Sequence, residues 1–254
     1  PDRMIDCCGG WHDAGDYGKY TVPGAKAVVD LLLAFELYPN VFKQSTPIPE
    51  TDNTIPDILH ECRYELEWLL KMQDLKSGGV FHKLTTLEFP SLDCLPEDDH
   101  APLFLSPVSA TATGCFTAVM AHAARVYQRF DVDFANCCLE AALKGWDWLL
   151  RNEQVAGFKN PDEILTGEYG DEQDLDERYW AAAELYRTTG SNTFHQQFLL
   201  LAKKSFSKYA LGWADVGGYG TIAYLLNGKA KGDPVVFSRL EEGLLNEANL
   251  LTEK

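Results

Sequence analysis

Two aspartates three positions apart form the part of this chain whose residue types best suit chemistry. Asp13 and Asp16 lie in the string GGWHDAGDYGKY at positions 9–20, which contains four glycines. Carboxylates that lie close together raise each other's pKa, so one member of such a pair can serve as a general base. Glycines let the backbone turn tightly and let a ligand approach it. The same composition is also typical of a surface turn, so the spacing alone leaves both interpretations open.

Large aromatic side chains surround the two aspartates. Trp11, Tyr17 and Tyr20 each offer a flat apolar face with a polar tip, which suits the face of a sugar ring. The aromatic residues therefore favour a carbohydrate site, with Trp11 and Tyr17 as candidate substrate-binding residues.

The whole string at 9–20 resembles the signature of glycoside hydrolase family 9, which comprises inverting endoglucanases and cellodextrinases. The resemblance extends over residues 9–225 and is closest to the branch with an immunoglobulin-like domain ahead of the catalytic domain. Further strings follow in the order that the family uses: TVPGAK at 21–26, IPDIL at 55–59, YELEWLLKMQ at 64–73, VFHKLTT at 80–86, SPVSATAT at 106–113 and DERYWAAAELY at 176–186.

The resemblance implies hydrolysis of β-1,4-glucosidic bonds in cellulose, cellodextrins or related β-glucans. An inverting glycosidase needs two carboxyl groups about 6.5–9.5 Å apart on opposite sides of the scissile bond. Because Asp13 and Asp16 share one loop, we expect both on the same side, holding one water between them. The resemblance implies that Asp16 is the general base and that Asp13 binds and orients the water.

The general acid has no match in this chain. In the family it is a glutamate near the end of the catalytic domain, preceded by a motif with histidine and arginine, and neither motif is found here. Glu168 and Glu184 carry no mark of a carboxyl with a raised pKa, and Glu184 lies in a helical pattern, which favours a solvated or packing role. We therefore expect the isolated chain to have no significant glucanase activity.

Three further residues are candidates for the sugar cleft. By resemblance His82 hydrogen-bonds the sugar near the cleavage point, although a structural histidine is an equal alternative. Tyr169 and Trp213 lie in loop-like contexts and are candidate stacking platforms. The remaining tryptophans considered occupy helical patterns, where core packing is expected: Trp68, Trp146, Trp148 and Trp180.

An acidic run at 171–177 admits two interpretations. Five acidic residues there can stabilise the N-terminus of a helix, or their oxygens can bind a hard cation. The run lacks the glycine of an EF-hand loop. Family members often hold calcium near this position, and the matching residues are Asp176 and Glu177, with Asp215 as a third. The resemblance implies that the chemistry itself requires no cofactor.

Composition narrows the class of partner. The formal net charge of −16 argues against nucleic acid or an anionic membrane and agrees with a neutral β-glucan. No apolar run reaches the length of a transmembrane helix.

The seven cysteines show no metal-site spacing, and Cys62, Cys115 and Cys137 are expected in the core. Secretion, or a periplasmic location, and a preceding immunoglobulin-like domain are implied by the resemblance alone.

Apolar periodicity predicts an all-α fold, with long functional loops at 74–106 and 158–174. The resemblance implies an (α/α)6 toroid of antiparallel hairpins. About eight of its twelve helices would be present, so that residues 1–254 form an incomplete catalytic domain, roughly its first two-thirds. Within the second predicted helix, at 53–73, Glu67 and Lys71 are spaced four positions apart, as an ion pair on one helix face requires. The predicted helices cover 23–38, 53–73, 107–128, 133–152, 174–189, 192–209, 218–226 and 234–250.

Two other functions stay open. The α/α toroid supports several carbohydrate chemistries, including that of lyases, although the aspartate string argues against them. The missing acid also suits a non-catalytic glycan-binding or structural protein derived from such an enzyme.

Overall fold

Eight α-helices dominate the part of the chain that the computed structural model describes, which is residues 4–44, 46–153 and 157–253. The apolar periodicity therefore predicted the fold class correctly. The helices are α1 Thr21–Leu37, α2 Asp57–Lys71, α3 Ala110–Tyr127, α4 Val132–Arg151, α5 Leu175–Thr189, α6 Asn192–Leu201, α7 Gly217–Leu226 and α8 Pro234–Thr252.

Inner and outer helices alternate along the chain. Nearly every residue of α3 and the continuous run 176–186 of α5 are buried, so these helices are inner ones. In α4 the buried residues recur every three or four positions, which leaves an opposite face in water. Contacts join α1 to α3, α3 to α5 and α5 to α7, while each even-numbered helix packs on the helix before it. This arrangement is part of an α/α toroid.

The described residues also form five strands of two or three residues. One precedes α1, and four lie between α2 and α3: β1 Lys19–Tyr20, β2 Val80–Phe81, β3 Lys83–Thr85, β4 Phe104–Leu105 and β5 Val108–Ser109. They form two small antiparallel sheets, one in the order β1-β3-β4 and the other pairing β2 with β5. β1 directly follows the two aspartates, and its pairing with β3 brings them near His82. One part of the predicted 74–106 loop, β3, therefore lies beside the strand that follows the aspartates.

Two helix ends differ from the sequence prediction by four residues or more. α2 begins at Asp57, because Asn53 adopts a left-handed conformation with φ 62° and Pro56 is extended. α6 ends at Leu201 rather than near 209. Directly after Leu201, the backbone N–H groups of Lys203 and Lys204 bond to carbonyls three positions earlier, so the α-helical hydrogen-bond pattern stops there.

The predicted Glu67–Lys71 pair is wrong, because each side chain has another partner. Glu67 accepts a hydrogen bond from Arg63 at 2.7 Å, one turn earlier. Lys71 instead reaches the N-terminal segment, where it donates to Asp6 Oδ2 and to the Cys8 carbonyl. The lysine therefore holds the chain that leads into the aspartate string.

The cysteine prediction is correct at two of three positions. Cys62 and Cys115 are buried, whereas Cys137 is exposed and its neighbour Cys138 occupies the buried face of α4. All seven cysteines are free thiols. The four tryptophans expected in the core are buried there. No helix in the described ranges is long and apolar enough to span a bilayer.

An ionic network joins the C-terminal halves of α1, α3 and α5. Arg125 of α3 lies between two carboxylates, at 3.1 Å from Glu36 and 2.9 Å from Glu184. Arg187 of α5 also pairs with Glu36, at 2.9 Å, and the buried His122 ring contacts both glutamates. Glu184 is thus a packing residue of the core and is not solvated.

Loss of the central arginine should destabilise the fold strongly. We expect Arg125→Met to lower the free energy of unfolding by about 3 kcal/mol or more, because the buried carboxylate of Glu184 loses its guanidinium partner. Lys26→Ala, which breaks the exposed Lys26–Asp30 pair, should cost at most about 1 kcal/mol. Urea unfolding of both variants measures the difference. Equal losses would contradict a central role for Arg125.

Candidate active site

The two aspartates lie on one short loop, residues 13–18, here called the aspartate loop. The Asp13 backbone N–H donates to the Gly18 carbonyl at 3.0 Å and closes the loop. Asp16 Oδ2 accepts from the Gly18 N–H at 3.3 Å and from the Tyr20 hydroxyl at 3.0 Å. The loop is therefore an ordered turn whose two carboxylates have defined partners.

Two tyrosines each hold one of the aspartates. Tyr20 donates to Asp16, and Tyr169 donates to Asp13 Oδ2 at 2.7 Å from across the site. The two tyrosine rings contact each other edge to face, with centroids 4.8 Å apart. Tyr169 also has a left-handed backbone with φ 47°, which is costly for a residue other than glycine. Such strain is typical of a functional position.

Burial and mutual repulsion shape the electrostatics of the aspartate loop. Burial raises the pKa of Asp13, the Tyr169 hydrogen bond opposes that rise, and the nearby Asp16 adds to it. Burial also raises the pKa of Tyr20 and of Tyr169, and the neighbouring aspartates raise it further. Both phenols therefore remain protonated donors at neutral pH.

An exposed indole extends the site beyond the aspartates. The Trp213 ring stands perpendicular to Tyr169, with centroids 5.0 Å apart, and 39% of the residue is exposed. The structure thus brings together Asp13, Tyr169 and Trp213, which are far apart in the sequence. An exposed aromatic face beside a carboxylate suits the binding of a sugar ring.

Trp11 and Tyr17 flank the aspartate loop in different ways. The Tyr17 hydroxyl donates to the Cys94 carbonyl, and its ring lies 5.3 Å from that of His12. Trp11 forms one wall of a pocket of about 230 Å³. The pocket's lining residues include Trp11, His12, Asp13, Tyr20, Gly24 and Glu65.

His82 is buried behind the site and is only 1% exposed. Its ring shares hydrogen bonds with Ser109 Oγ at 2.8 Å and with the Glu168 carbonyl at 3.1 Å, and it stacks on Phe158. Burial lowers the pKa of His82 to about 4, so the ring is neutral. As placed, it supports the backbone beside Tyr169, and its predicted contact with sugar stays a prediction.

Lys83 is a supporting residue that the sequence analysis missed. Its buried ammonium donates to the carbonyls of Thr166 and Gly167, at 3.3 and 2.6 Å, and so joins β3 to the segment before Tyr169. Burial lowers the pKa of Lys83 to about 8. The one available signal was a lysine in VFHKLTT, a string with no acidic residue, where a buried lysine side chain must find other acceptors.

The predicted metal residues lie around the start of α5. Asp176 Oδ2 accepts from the Val216 N–H at 2.7 Å, which brings the Asp215 segment close. Glu177 is fully buried, and neither of its carboxylate oxygens has a hydrogen-bond partner among the described residues. Burial, reinforced by Asp176, raises the pKa of Glu177 well above its usual range. A carboxyl without partners fits the oxygen chemistry of calcium.

The remaining ligands of such a site are not assembled. Among the described residues no group of three histidine, cysteine or acidic side chains converges on one point. Asp215 is exposed. Asp174, the first residue before α5, pairs with Arg178 at 2.8 Å. The fit to a cation therefore rests on Glu177 and Asp176.

Removal of one phenol should change the acidity of Asp13. We expect Tyr169→Phe to raise the pKa of Asp13 further, because the lost hydrogen bond stabilised the ionised carboxylate. Carboxyl carbon shifts followed by NMR through a pH titration measure this change. Tyr17→Phe, which removes a hydroxyl bonded to a backbone carbonyl, should leave the titration of Asp13 unchanged. An unchanged Asp13 titration in Tyr169→Phe would contradict the predicted coupling.

Comparison with known proteins identifies the family. Residues 1–247 match the model of glycosyl hydrolase family 9. A cellodextrinase of Butyrivibrio fibrisolvens is 37% identical over 239 residues, which are 87% of this chain and 43% of the relative. A single mutant of a thermostable endoglucanase from Alicyclobacillus acidocaldarius superposes with a TM-score of 0.93 at 46% identity. That match covers 98% of this chain and 47% of the other.

AaCel9A in complex with cellobiose-like isofagomine is also 46% identical, with a TM-score of 0.92 over 98% of this chain and 47% of the other. The chain thus spans less than half the length of these relatives. The similarity is nevertheless continuous over almost all of it, in sequence as well as in fold. The chain belongs to glycosyl hydrolase family 9.

Proposed function

We propose that this chain is the aspartate-bearing part of a longer catalytic domain that hydrolyses β-1,4-glucosidic bonds with inversion. The observation that carries the proposal is the aspartate loop, where Asp13 and Asp16 are each held by a tyrosine beside the exposed Trp213. A pair of carboxylates next to an aromatic platform offers a base for water and a surface for sugar. Membership of family 9 supports the same reaction.

Asp16 takes the proton of the attacking water, and Asp13 accepts the second hydrogen of that water and so orients it. The water oxygen bonds to the anomeric carbon as the glycosidic bond breaks on the opposite face, which inverts the configuration. The tyrosines contribute hydrogen bonds without positive charge, which reduces the basicity of a carboxylate less than a neighbouring lysine or arginine would. A general acid must protonate the leaving oxygen from the far side, and we assign it to a part of the domain outside this chain.

The substrate we propose is a cellulose-type glucan or cellodextrin bound along Trp213 and Tyr169. The names of the relatives support this choice, since they describe a cellodextrinase, an endoglucanase and a complex with a cellobiose-like inhibitor. Trp11, Tyr17 and His82 complete the proposed sugar-binding set. A secreted or periplasmic location suits a polymeric substrate, and an immunoglobulin-like domain ahead of this one belongs to the same proposal.

Turnover of substrate should require the general acid that we assign to a part of the domain outside this chain. We expect the full-length enzyme to hydrolyse cello-oligosaccharides, the isolated 254-residue chain to be inactive, and Asp16→Asn to abolish turnover, because the attacking water then lacks its base. Chromatography measures products, and proton NMR identifies the anomer formed first. Lys26→Ala serves as a control that retains activity.

Two outcomes would contradict this proposal. Turnover by the isolated chain, lost in Asp16→Asn, would place the acid within it. Binding of cello-oligosaccharide by the full-length protein without any turnover would instead favour the non-catalytic glycan-binding alternative.

We propose further that a structural calcium ion binds at the start of α5, held by Asp176, Glu177 and Asp215. The fully buried carboxyl of Glu177, which has no hydrogen-bond partner within the described residues, supports the site. The ion would neutralise two adjacent carboxylates and tie α5 to the chain before α7. The hydrolytic chemistry needs no cofactor, so this role is confined to stability.

Calcium should therefore reverse the stability order of two variants. Without calcium, Glu177→Gln should melt at the same temperature as the wild type or higher, because it removes a buried charge. With excess calcium, the wild type should gain several degrees and the variant should not. Thermal melts in chelator and in calcium measure both effects. Glu172→Gln, at an exposed position in the same acidic run, is the control that keeps the response. A wild type that ignores calcium would contradict the site.

A further inference from the structure

Buried charged side chains hold both polar atoms of the peptide group between Gly10 and Trp11. The Trp11 N–H donates to Glu65 Oε2 at 2.6 Å, and the Gly10 carbonyl accepts from Lys19 Nζ at 2.7 Å. Glu65 is 1% exposed and Lys19 is 8% exposed. A charge-assisted hydrogen bond at each end fixes the orientation of this peptide group.

The packing around Gly10 and Glu65 is tight. Gly10 has φ +77° and lies on the Trp68 ring, where an added Cβ would come within 2.4 Å of the indole. Gly24, in the first turn of α1, makes space for the carboxyl, because a Cβ there would lie 2.4 Å from Glu65 Oε1. Two glycines and one tryptophan thus shape the cavity that contains the glutamate.

A second glutamate of α2 holds the side chain of the same tryptophan. Glu61, one turn before Glu65, accepts from Trp11 Nε1 at 2.6 Å. The two glutamates therefore bind both N–H groups of Trp11, two positions before Asp13. Of the two, only Glu65 is buried; Glu61 is exposed.

We propose that Glu65 is a positioning residue for the aspartate loop. Through the Trp11 backbone, and together with Lys19, it fixes the point where the chain enters the loop and thereby the direction of the Asp13 carboxylate. The consequence for catalysis rests on the proposed hydrolytic function, whereas the effect on Asp13 does not.

The electrostatics agree with a role beyond packing. Burial raises the pKa of Glu65 to about 7, although the Trp11 N–H and the Lys19 charge oppose the rise. A buried carboxyl of this kind is costly, and an apolar side chain of similar size would often stabilise the fold more. The titratable groups around it are Lys19 of β1, Glu61 of α2, and the pocket residues His12, Asp13 and Tyr20.

The first arm of the test uses this chain itself. Tryptophan labelled with ¹⁵N, assigned with Trp11→Phe, reports hydrogen exchange of the Trp11 amide by NMR. We expect Glu65→Ala to speed that exchange at least tenfold and to shift the Asp13 carboxyl resonance. Glu65→Gln, which retains an oxygen acceptor, should restore most of both. Glu67→Ala lies on the same helix with its side chain on Arg63 and is the matched control.

The second arm uses the full-length enzyme. We expect Glu65→Ala to lower kcat about tenfold to a hundredfold while KM changes less than about threefold, because a misdirected carboxylate slows chemistry more than binding. Glu65→Gln should recover most of kcat, and Glu67→Ala should resemble the wild type.

Each result supports or overturns the proposal. Unchanged Trp11 exchange and an unchanged Asp13 resonance in Glu65→Ala would overturn it, as would faster exchange with an unaltered Asp13 resonance and normal kcat. If Glu65→Ala fails to fold, Glu65→Asp, which shortens the reach by one methylene, replaces it in both arms. A wild-type enzyme without turnover would refute the proposed function, and the Asp13 resonance would still decide the role of Glu65.

Discussion

The mutual repulsion of two carboxylates on one six-residue loop is the constraint on which this structure depends. Asp13 is partly removed from water, which raises its pKa, and the nearby Asp16 charge raises that pKa further. The loop has no helix or strand ladder of its own to resist that repulsion. Its geometry comes from the backbone hydrogen bond that closes it and from contacts outside it: Tyr20 behind it, Tyr169 across the site, and the Gly10–Trp11 peptide, which is bound to Glu65 of α2.

The choice of partners for the aspartates has a chemical consequence. A lysine or arginine at hydrogen-bond distance would hold a carboxylate pKa well below its usual range and weaken it as a base. Tyrosine hydroxyls supply the hydrogen bonds without that charge. The buried Lys83 donates to backbone carbonyls rather than to a carboxylate. The neutral His82 beside it contacts the same stretch of backbone, at the Glu168 carbonyl. The positive charge of Lys83 therefore lies on the backbone that carries Tyr169, and the aspartates themselves are bound by neutral hydroxyl groups.

Sequence reasoning predicts those features that repeat along the chain. The helices follow from apolar spacing, and the aspartate loop follows from a local string. Glu65 and Lys83 could not be assigned in this way, because their roles arise from partners 54 and 84 positions away. The strands were too short for an alternating pattern to show. Contacts between distant segments therefore account for most of what the sequence left open.

The pKa values of buried carboxyls are shifted in opposite directions at the two ends of the inner helices. Near the N-terminal ends, burial leaves Asp13, Glu65 and Glu177 with raised pKa values, so each ionised carboxyl there costs free energy. At the opposite end, burial would raise the pKa of Glu36, but hydrogen bonds from His122 and Arg125 hold it well below its usual range. The cross-links at that end join three helices. They stabilise the fold where no chemistry is proposed, and this stability offsets the cost of the carboxyls that the proposed chemistry needs.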